Sequence, residues 1–218
     1  MAKEQYNEIF GKNLRAYRES LGQTRLVFVR QYDGFVNTLA SYETGEKGPS
    51  LKRLIHICNG LKLSPNALLD GLFPWETEIE TLTSLDKIMS ELAGAERQKV
   101  VAIRNSFLSC VLETPPKLSG ENLGTRIHLL REDAGLDVSV LAERCMIAKS
   151  TLLGYESGQY DPSVQVILRL SEVFGVSPEF LLAPLLDKLS YSDKRYANLR
   201  PREMKALLEI TRILVSRF

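Results

Sequence analysis

A nine-residue phrase occurs twice in this chain. YETGEKGPS begins at Tyr42, and YESGQYDPS begins at Tyr155, 113 residues later. Aligning residues 11–69, the first unit, with residues 124–182, the second unit, needs no gap and gives 16 identities in 59 positions. A repeat of this length constrains the fold strongly, because both copies must satisfy one structural pattern. The sequence therefore predicts a duplicated unit.

Each unit reads as a set of short helices. Leu14, Tyr17 and Leu21 recur at helical spacing, and Gly22 follows them as a C-cap. Further capping residues divide the rest of each unit into four more short helices, including one over about residues 35–43 in the first unit. Ser64-Pro65 and Ser177-Pro178 are expected to start the last helix of each unit, with serine as N-cap and proline at the first helical position. Five helices in a unit of this size leave no room for strands. The expected fold class is therefore all-α.

The turn between helices two and three carries a family resemblance. Each unit has a glycine after its first helix, then two helices joined by a tight turn, Tyr-Glu-x-Gly, and a proline and serine before helix four. The second unit closes with GVSPEFLL (175–182). These features resemble the Cro/CI-type, or XRE-like, helix-turn-helix family of phage and bacterial regulators. The resemblance implies two lambda-repressor-like five-helix modules, each followed by additional helices that pack or dimerise.

The pattern predicts five segments along the chain. Apolar residues recur at helical spacing in 76–92, 95–113 and 199–218, and Pro-Pro with small polar residues marks a linker. The predicted segments are a first helix-turn-helix module (1–73), connecting helices (74–113), a linker (114–120), a second module (121–186) and a C-terminal helix (187–218). The trailing helices (76–113 and 199–218) have apolar faces that can pair within the chain, with a second chain, or both. We expect a homodimer through them.

The resemblance also implies two structural ion pairs. Arg18 and Glu43 are 25 residues apart, as are Arg131 and Glu156. In this family each such pair joins the first helix to the end of the third. We therefore interpret these charges as structural and not catalytic.

A helix-turn-helix binds DNA by placing its third helix in the major groove and the start of its second helix on a phosphate. The first unit offers a cap, a cation and polar or small side chains at the matching positions. The predicted DNA contacts of the first unit are Thr24, Arg25, Val36, Asn37, Thr38, Ser41 and Lys47. Among them, Asn37 is suited to adenine and Val36 to a thymine methyl group.

The second unit departs from the family pattern. Lys149, Ser150 and Thr151 are predicted DNA contacts at the start of its third helix. Its second helix begins with Asp137-Val138, which repels phosphate or cannot donate to it, and an outward Leu153 suits a protein surface. A protein partner at this module is the alternative.

Charge separates the two units as well. Residues 1–73 carry 10 Lys and Arg against 7 Asp and Glu, whereas residues 120–186 carry 5 against 9. Basic surfaces favour polyanions, so charge favours DNA binding by the first unit over the second. The expected function is a sequence-specific transcription regulator, a repressor, whose two modules read two different half-sites of double-stranded DNA. The alternative is a helix-turn-helix protein-interaction module, an antirepressor or adaptor, with weak or lost DNA binding.

Other classes of function find no support in the residues. Gly-rich phosphate loops, zinc-ligand spacings and nucleophile-elbow motifs are absent from the sequence, so we expect no enzyme, no cofactor and no metal. Apolar runs long enough to cross a bilayer and a signal peptide are also absent, so a cytoplasmic protein is expected. Cys58, Cys110 and Cys145 have apolar neighbours and are expected to be reduced core residues.

Overall fold

All regular secondary structure within the described part of the chain is helical. The computed structural model describes residues 3–73, 87, 89–113, 122–187, 189 and 194–217. The α-helices are α1 (Lys3–Ser20), α2 (Arg25–Arg30), α3 (Val36–Glu43), α4 (Leu51–Leu61), α5 (Pro65–Leu68), α6 (Gly94–Glu113), α7 (Leu123–Asp133), α8 (Val138–Arg144), α9 (Lys149–Glu156), α10 (Val164–Phe174), α11 (Pro178–Leu182) and α12 (Pro201–Val215). Two short 3₁₀ helices cover Ala183–Leu185 and Lys194–Asn198. The expected all-α class is confirmed.

Helix starts follow local capping chemistry. Ser64 and Ser177 cap α5 and α11, and each side chain accepts a hydrogen bond from a backbone N–H in the first turn. Pro65 and Pro178 occupy the first helical positions, where the missing N–H group has no partner to lose. These are the helix starts that the sequence predicted.

The repeated phrase contains the exit from the third helix of each unit. Gly45 and Gly158 have φ of +75° and +74°, and each donates its backbone N–H to the carbonyl of the tyrosine three residues earlier. A side chain would strain this left-handed conformation, which explains why glycine stands at both positions.

A second glycine pair brings two helices into backbone contact. Gly11 on α1 and Gly124 on α7 face the ends of α3 and α9. A Cβ atom at Gly11 would lie 1.9 Å from the Tyr42 carbonyl oxygen, and one at Gly124 would lie 2.3 Å from that of Tyr155. The first helix therefore fixes the third helix at a distance that only glycine permits.

One continuous cluster of buried side chains runs through both units. Phe10, Leu14, Phe28 and Leu39 are fully buried at the centre of α1–α3. In the second set, the fully buried side chains include Ile127, Leu141, Leu152, Ile167 and Leu170. The two sets meet where α5 packs against α11.

The trailing helices pair within the chain, because α6 packs against α12. Arg104 on α6 is buried, donates to Met89 Sδ at 3.0 Å and to the Tyr196 hydroxyl, and lies over the Tyr196 ring. Val101 and Ile103 remain 39% and 44% exposed, so they do not belong to the packed face of α6.

Most of the predicted helix 76–92 and the whole predicted linker 114–120 lie outside the described residues.

The expectation for the cysteines was wrong in one case. Cys58 and Cys145 are buried free thiols, whereas Cys110 is exposed on α6. Burial raises the pKa of Cys145 to about 11, so this thiol stays protonated at neutral pH.

Candidate nucleic-acid interface

The second helix and the turn that follows it have the same backbone form in both units. Thr24 caps α2 by accepting from the Val27 N–H, and Asp137 caps α8 by accepting from the Ser139 N–H at 2.7 Å. Asp33, within the first turn, has φ of +47°.

The same feature recurs in the second unit. Met146 has φ of +54° in the second turn. The following residue donates back into the preceding helix, from Gly34 N to Val29 O at 2.8 Å and from Ile147 N to Ala142 O at 3.0 Å. Each third helix therefore leaves its turn from an equivalent backbone geometry.

The third helix of the first unit is buried on one face only. Leu39 is fully buried, and Tyr42 is 8% exposed. Val36 and Asn37 are exposed, whereas Thr38 and Ser41 are half-buried. The first two positions of α3 are therefore available to a groove, and the other two predicted contacts lie at the edge of the packed face.

The second unit presents its third helix in a similar way. Lys149 and Ser150 are exposed at the start of α9, Thr151 is half-buried, and Leu152 is fully buried. Leu153 is 46% exposed, as the outward position that the sequence predicted.

Arg25 holds a carboxylate of its own chain. Its Nε donates to Glu43 Oε2 at 2.7 Å, although 42% of its side chain remains exposed. An arginine has further N–H groups, so this contact still leaves donors for a phosphate. Thr24 and Lys47, the flanking predicted contacts, are both exposed.

Glu43 and Arg18 form a two-point ion pair. Arg18 Nε donates to Glu43 Oε1 at 2.6 Å, and Arg18 Nη2 donates to Glu43 Oε2 at 3.2 Å. Arg18 Nη1 donates to the Gln23 carbonyl oxygen at 2.9 Å. One guanidinium therefore ties the end of α3 to the loop before α2.

The second unit repeats this arrangement atom for atom. Arg131 Nε donates to Glu156 Oε1 at 2.7 Å, and Arg131 Nη2 donates to Glu156 Oε2 at 3.2 Å. Arg131 Nη1 donates to the Leu136 carbonyl oxygen at 3.0 Å. Where Arg25 adds a contact in the first unit, His128 Nδ1 lies 3.1 Å from Glu156 Oε2 in the second. These contacts have the geometry of a structural clamp and give both oxygens of each carboxylate a hydrogen-bond partner.

The ionisation of Glu43 depends on its two arginine partners. Burial by itself raises the pKa of Glu43, but hydrogen bonds and charge from Arg18 and Arg25 together outweigh it and hold the pKa below its ordinary value. The hydrogen bond to Glu43 likewise raises the pKa of Arg18. The clamp is therefore fully charged at neutral pH.

Polar contacts between the two units were not predicted. Ser64 Oγ donates to Glu179 Oε2 at 2.7 Å, and the Glu179 backbone N–H donates to Asn66 Oδ1 at 2.9 Å. Just beyond the second unit, Asn59 Nδ2 donates to the Leu185 carbonyl oxygen, and Asn59 Oδ1 accepts from the Asp187 N–H, both at 3.1 Å. Glu179 is completely buried. The units are therefore joined by directional hydrogen bonds as well as by apolar packing.

The sequence held one signal for these contacts. Asn66 and Glu179 occupy equivalent positions of the repeat but differ in charge. A shared position whose chemistry differs between copies is suited to a contact between those copies, because the two sides then complement each other.

Phe35 is the residue at this surface that sequence reasoning missed. It precedes α3, makes no side-chain capping hydrogen bond, and is 75% exposed. The N-cap position of a helix usually holds a small polar residue. A phenylalanine at the start of the predicted third helix was therefore the sequence signal that could have identified this residue.

Across residues 3–73, 89–113 and the later described ranges, no group of three His, Cys, Asp or Glu side chains is placed to hold a metal ion. Within the same part of the chain, helices are too short or too polar to cross a membrane.

Known proteins resemble parts of this chain. A family described as helix-turn-helix matches residues 127–181, which span α7 to α11 except for their outer ends. The match falls in the second unit, whose excess of acidic residues favours DNA binding less than the charge of the first unit does. No solved structure gives a significant match.

Curated relatives carry regulatory names. A Pyrococcus furiosus protein, provisionally named an HTH-type transcriptional regulatory protein, is 28% identical over 173 residues, covering 72% of this chain and 50% of that protein. A similarly named Pyrococcus abyssi protein is 28% identical over 186 residues, covering 80% and 55%. The HTH-type transcriptional regulator ImmR of Bacillus subtilis is 34% identical over 61 residues, covering 28% and 48%. The chain spans about half the length of these relatives. Residues 127–181 are therefore an XRE-like helix-turn-helix domain, within a chain similar to proteins named as transcriptional regulators.

Proposed function

We propose that this protein is a sequence-specific DNA-binding transcription regulator that acts as a repressor. The observation that carries the proposal is the helix-turn-helix match to residues 127–181, together with the exposed Lys149 and Ser150 at the start of α9. A lysine and a serine at this point of a third helix are suited to base edges and phosphates.

The first unit is proposed as a second DNA reader. Its clamp between Arg18 and Glu43 has the same atomic pattern as the clamp between Arg131 and Glu156. Gly11 and Gly124 make the same close approach to the third helix. These equivalences support a tandem arrangement of two helix-turn-helix modules in one chain.

The contact between α5 and α11 supports an arrangement in which two modules fused in one chain imitate a dimer of single modules. Dimeric helix-turn-helix proteins place two third helices on half-sites about 34–36 Å apart, one turn of DNA. Here a buried Glu179 and its partners Ser64 and Asn66 join the units within one chain. Since the third helices differ in sequence, the two half-sites differ too.

A homodimer through residues 76–113 and 199–218 is proposed in addition. The faces of α6 and α12 that pack against each other are used within the chain, but Val101, Ile103 and Ile213 stay exposed. Such residues supply an apolar surface for a second copy.

A protein partner at the second unit is the competing proposal. Leu153 is 46% exposed, Met146 is 66% exposed, and Val140 is 40% exposed. Exposed apolar side chains on the face that would meet DNA are more typical of a protein contact.

Salt dependence of DNA binding tests the regulator proposal. We expect the affinity for double-stranded DNA selected from a random pool to fall by about 10³-fold between about 50 and 200 mM salt. Lys149→Ala should lower the slope of log affinity against log salt by about one unit, or relax specificity at one base pair. Lys99→Ala, on α6, is the matched control and should change neither. Binding that ignores salt, or no binding to any duplex, would favour the protein-interaction proposal.

The interface between the units gives a separate prediction. Glu179→Ala removes the carboxylate that accepts from Ser64 Oγ and keeps the backbone N–H that donates to Asn66, so we expect a loss of about 1–3 kcal/mol in the free energy of unfolding from the lost side-chain contact. On DNA, the variant should tolerate altered spacing between half-sites that the parent rejects. Melting curves and binding to duplexes with spacings changed by one to five base pairs measure both effects, with Glu172→Ala, exposed on α10, as the control. A spacing preference that survives in Glu179→Ala would show that this contact does not set the distance.

A further inference from the structure

The ring of Phe35 needs an explanation. It is 75% exposed, more than any other large apolar side chain in the described part of the chain. Its backbone is extended, with φ of −109° and ψ of 136°, and it occupies the N-cap position immediately before α3. Val36, the first residue of α3, is 36% exposed beside it. One exposed apolar residue is ordinary, but two in succession at the tip of a third helix form an apolar contact surface.

The position of this surface limits what it can meet on DNA. In a helix-turn-helix complex, the N-terminal residues of the third helix contact base edges in the major groove. The thymine methyl group is the apolar group that the major groove displays, and phenylalanine is among the side chains that contact it. Asn37 follows and is exposed, and asparagine pairs with adenine. Three successive side chains therefore favour A·T pairs.

The second unit has different chemistry at the same three positions. Ala148, Lys149 and Ser150 stand 113 residues after Phe35, Val36 and Asn37. Lysine donates to the acceptors of guanine, and alanine offers only a small contact.

We propose that Phe35 and Val36 read thymine methyl groups in the half-site of the first unit, so that the operator has one A·T half and one guanine-containing half. This inference rests on the proposed function. It adds the base chemistry that distinguishes the two half-sites.

Charge around the first unit favours a polyanion over an apolar protein surface. Arg30 and Lys47 are exposed on the same unit. Residues 1–73 have 10 cationic against 7 anionic side chains, whereas residues 120–186 have 5 against 9. An apolar tip on a unit with an excess of cations suits a groove that displays methyl groups between two phosphate backbones.

Removal of the thymine methyl group provides the test. Duplexes bound by the full chain are selected from a random pool, and a selected duplex is remade with dU in place of dT, in one half-site at a time. We expect dU in the half-site of the first unit to weaken binding about fourfold for each contacted methyl group, the factor for burying one such group. The same change in the other half should have little effect.

Phe35→Ala gives the matched protein variant, because alanine is the residue of the second unit at that position. It should lose about fourfold of the preference for dT over dU, the share of one methyl contact, while the share of Val36 remains. It should also keep the melting temperature of the parent, since the removed ring is largely in water. Leu21→Ala, another exposed apolar residue outside the turn, should keep the dT preference.

The outcomes are distinct. If the parent binds DNA but does not distinguish dT from dU, or if Phe35→Ala keeps the full preference of the parent, the inference is wrong and the regulator proposal stands. If the parent binds no duplex, both fail. In either case Phe35, with the exposed Leu26 and Val27, becomes a surface for a protein partner.

Discussion

Replacing Glu43 with alanine is expected to lower the free energy of unfolding of α1–α5 by about 3–5 kcal/mol. The Glu43 side chain is completely buried and accepts from Arg18 at 2.6 Å and from Arg25 at 2.7 Å. Without the carboxylate, the guanidinium of Arg18, which is 11% exposed, remains buried without its main counter-charge. Urea unfolding followed by circular dichroism measures the loss.

A control for this prediction lies on the same arginine. Glu19 also contacts Arg18, at 3.3 Å, but it is 51% exposed. Glu19→Ala should therefore cost no more than about 1 kcal/mol, as is usual for surface pairs. Equal losses from Glu43→Ala and Glu19→Ala would contradict a buried clamp.

The same clamp predicts a pH dependence. Because the pKa of Glu43 is lower in the folded protein, its contribution to stability is complete above the unfolded value of about 4.3. That contribution is lost as the pH falls through the lower folded pKa. The stability difference between the parent and Glu43→Gln should therefore shrink in acid below about pH 4 and stay constant from about pH 5 to 8. A constant difference down to pH 2 would contradict the lowered pKa.

Replacing Gly124 with alanine is expected to destabilise the second unit by about 3 kcal/mol, at the upper end for overpacked sites. The added Cβ would lie 2.3 Å from the Tyr155 carbonyl oxygen and 2.8 Å from that of Glu156. Both neighbours are backbone atoms, so neither can rotate away. Relief requires α9 to move, which should also weaken DNA binding through Lys149.

Gly94→Ala is the control for this prediction, because its expected effect on stability has the opposite sign. Gly94 begins α6, and a Cβ there would have no neighbour within 4 Å. Gly94→Ala should leave stability unchanged or raise it by up to about 1 kcal/mol, through the better helix propensity of alanine. Gly11→Ala, with its Cβ at 1.9 Å from the Tyr42 carbonyl oxygen, should behave like Gly124→Ala. Thermal melts of the three variants compare them directly, and a neutral Gly124→Ala would show that the third helix is not fixed by this contact.

Local chemistry explains which parts of the fold could be predicted. The third helix was expected over about residues 35–43 and is observed at Val36–Glu43. Ser64-Pro65 and Ser177-Pro178 were expected to start helices, and they do. Capping, helix starts and positive φ depend on neighbours in the chain, so a single sequence carries them.

The candidate site was predictable only in part. The pairing of Arg18 with Glu43 followed from a family resemblance and is observed. The additional contact from Arg25 was not foreseen, because it depends on how closely α2 approaches the end of α3. Phe35 was placed inside the predicted third helix, whereas it lies at the N-cap position before α3, where its side chain is exposed. Whether the predicted DNA contacts touch DNA is still a prediction.

The amino-acid sequence alone was enough to establish helices, their starts and ends, and the recurrence of one pattern at an interval of 113 residues. Only the tertiary structure shows that α5 packs against α11 and that Glu179 is buried at this contact. Only the tertiary structure shows, too, that α6 packs against α12 while Cys110 is exposed. The reason is physical. Backbone hydrogen bonding and capping act over a few residues, whereas burial depends on surfaces that lie far apart in the chain and meet only after folding.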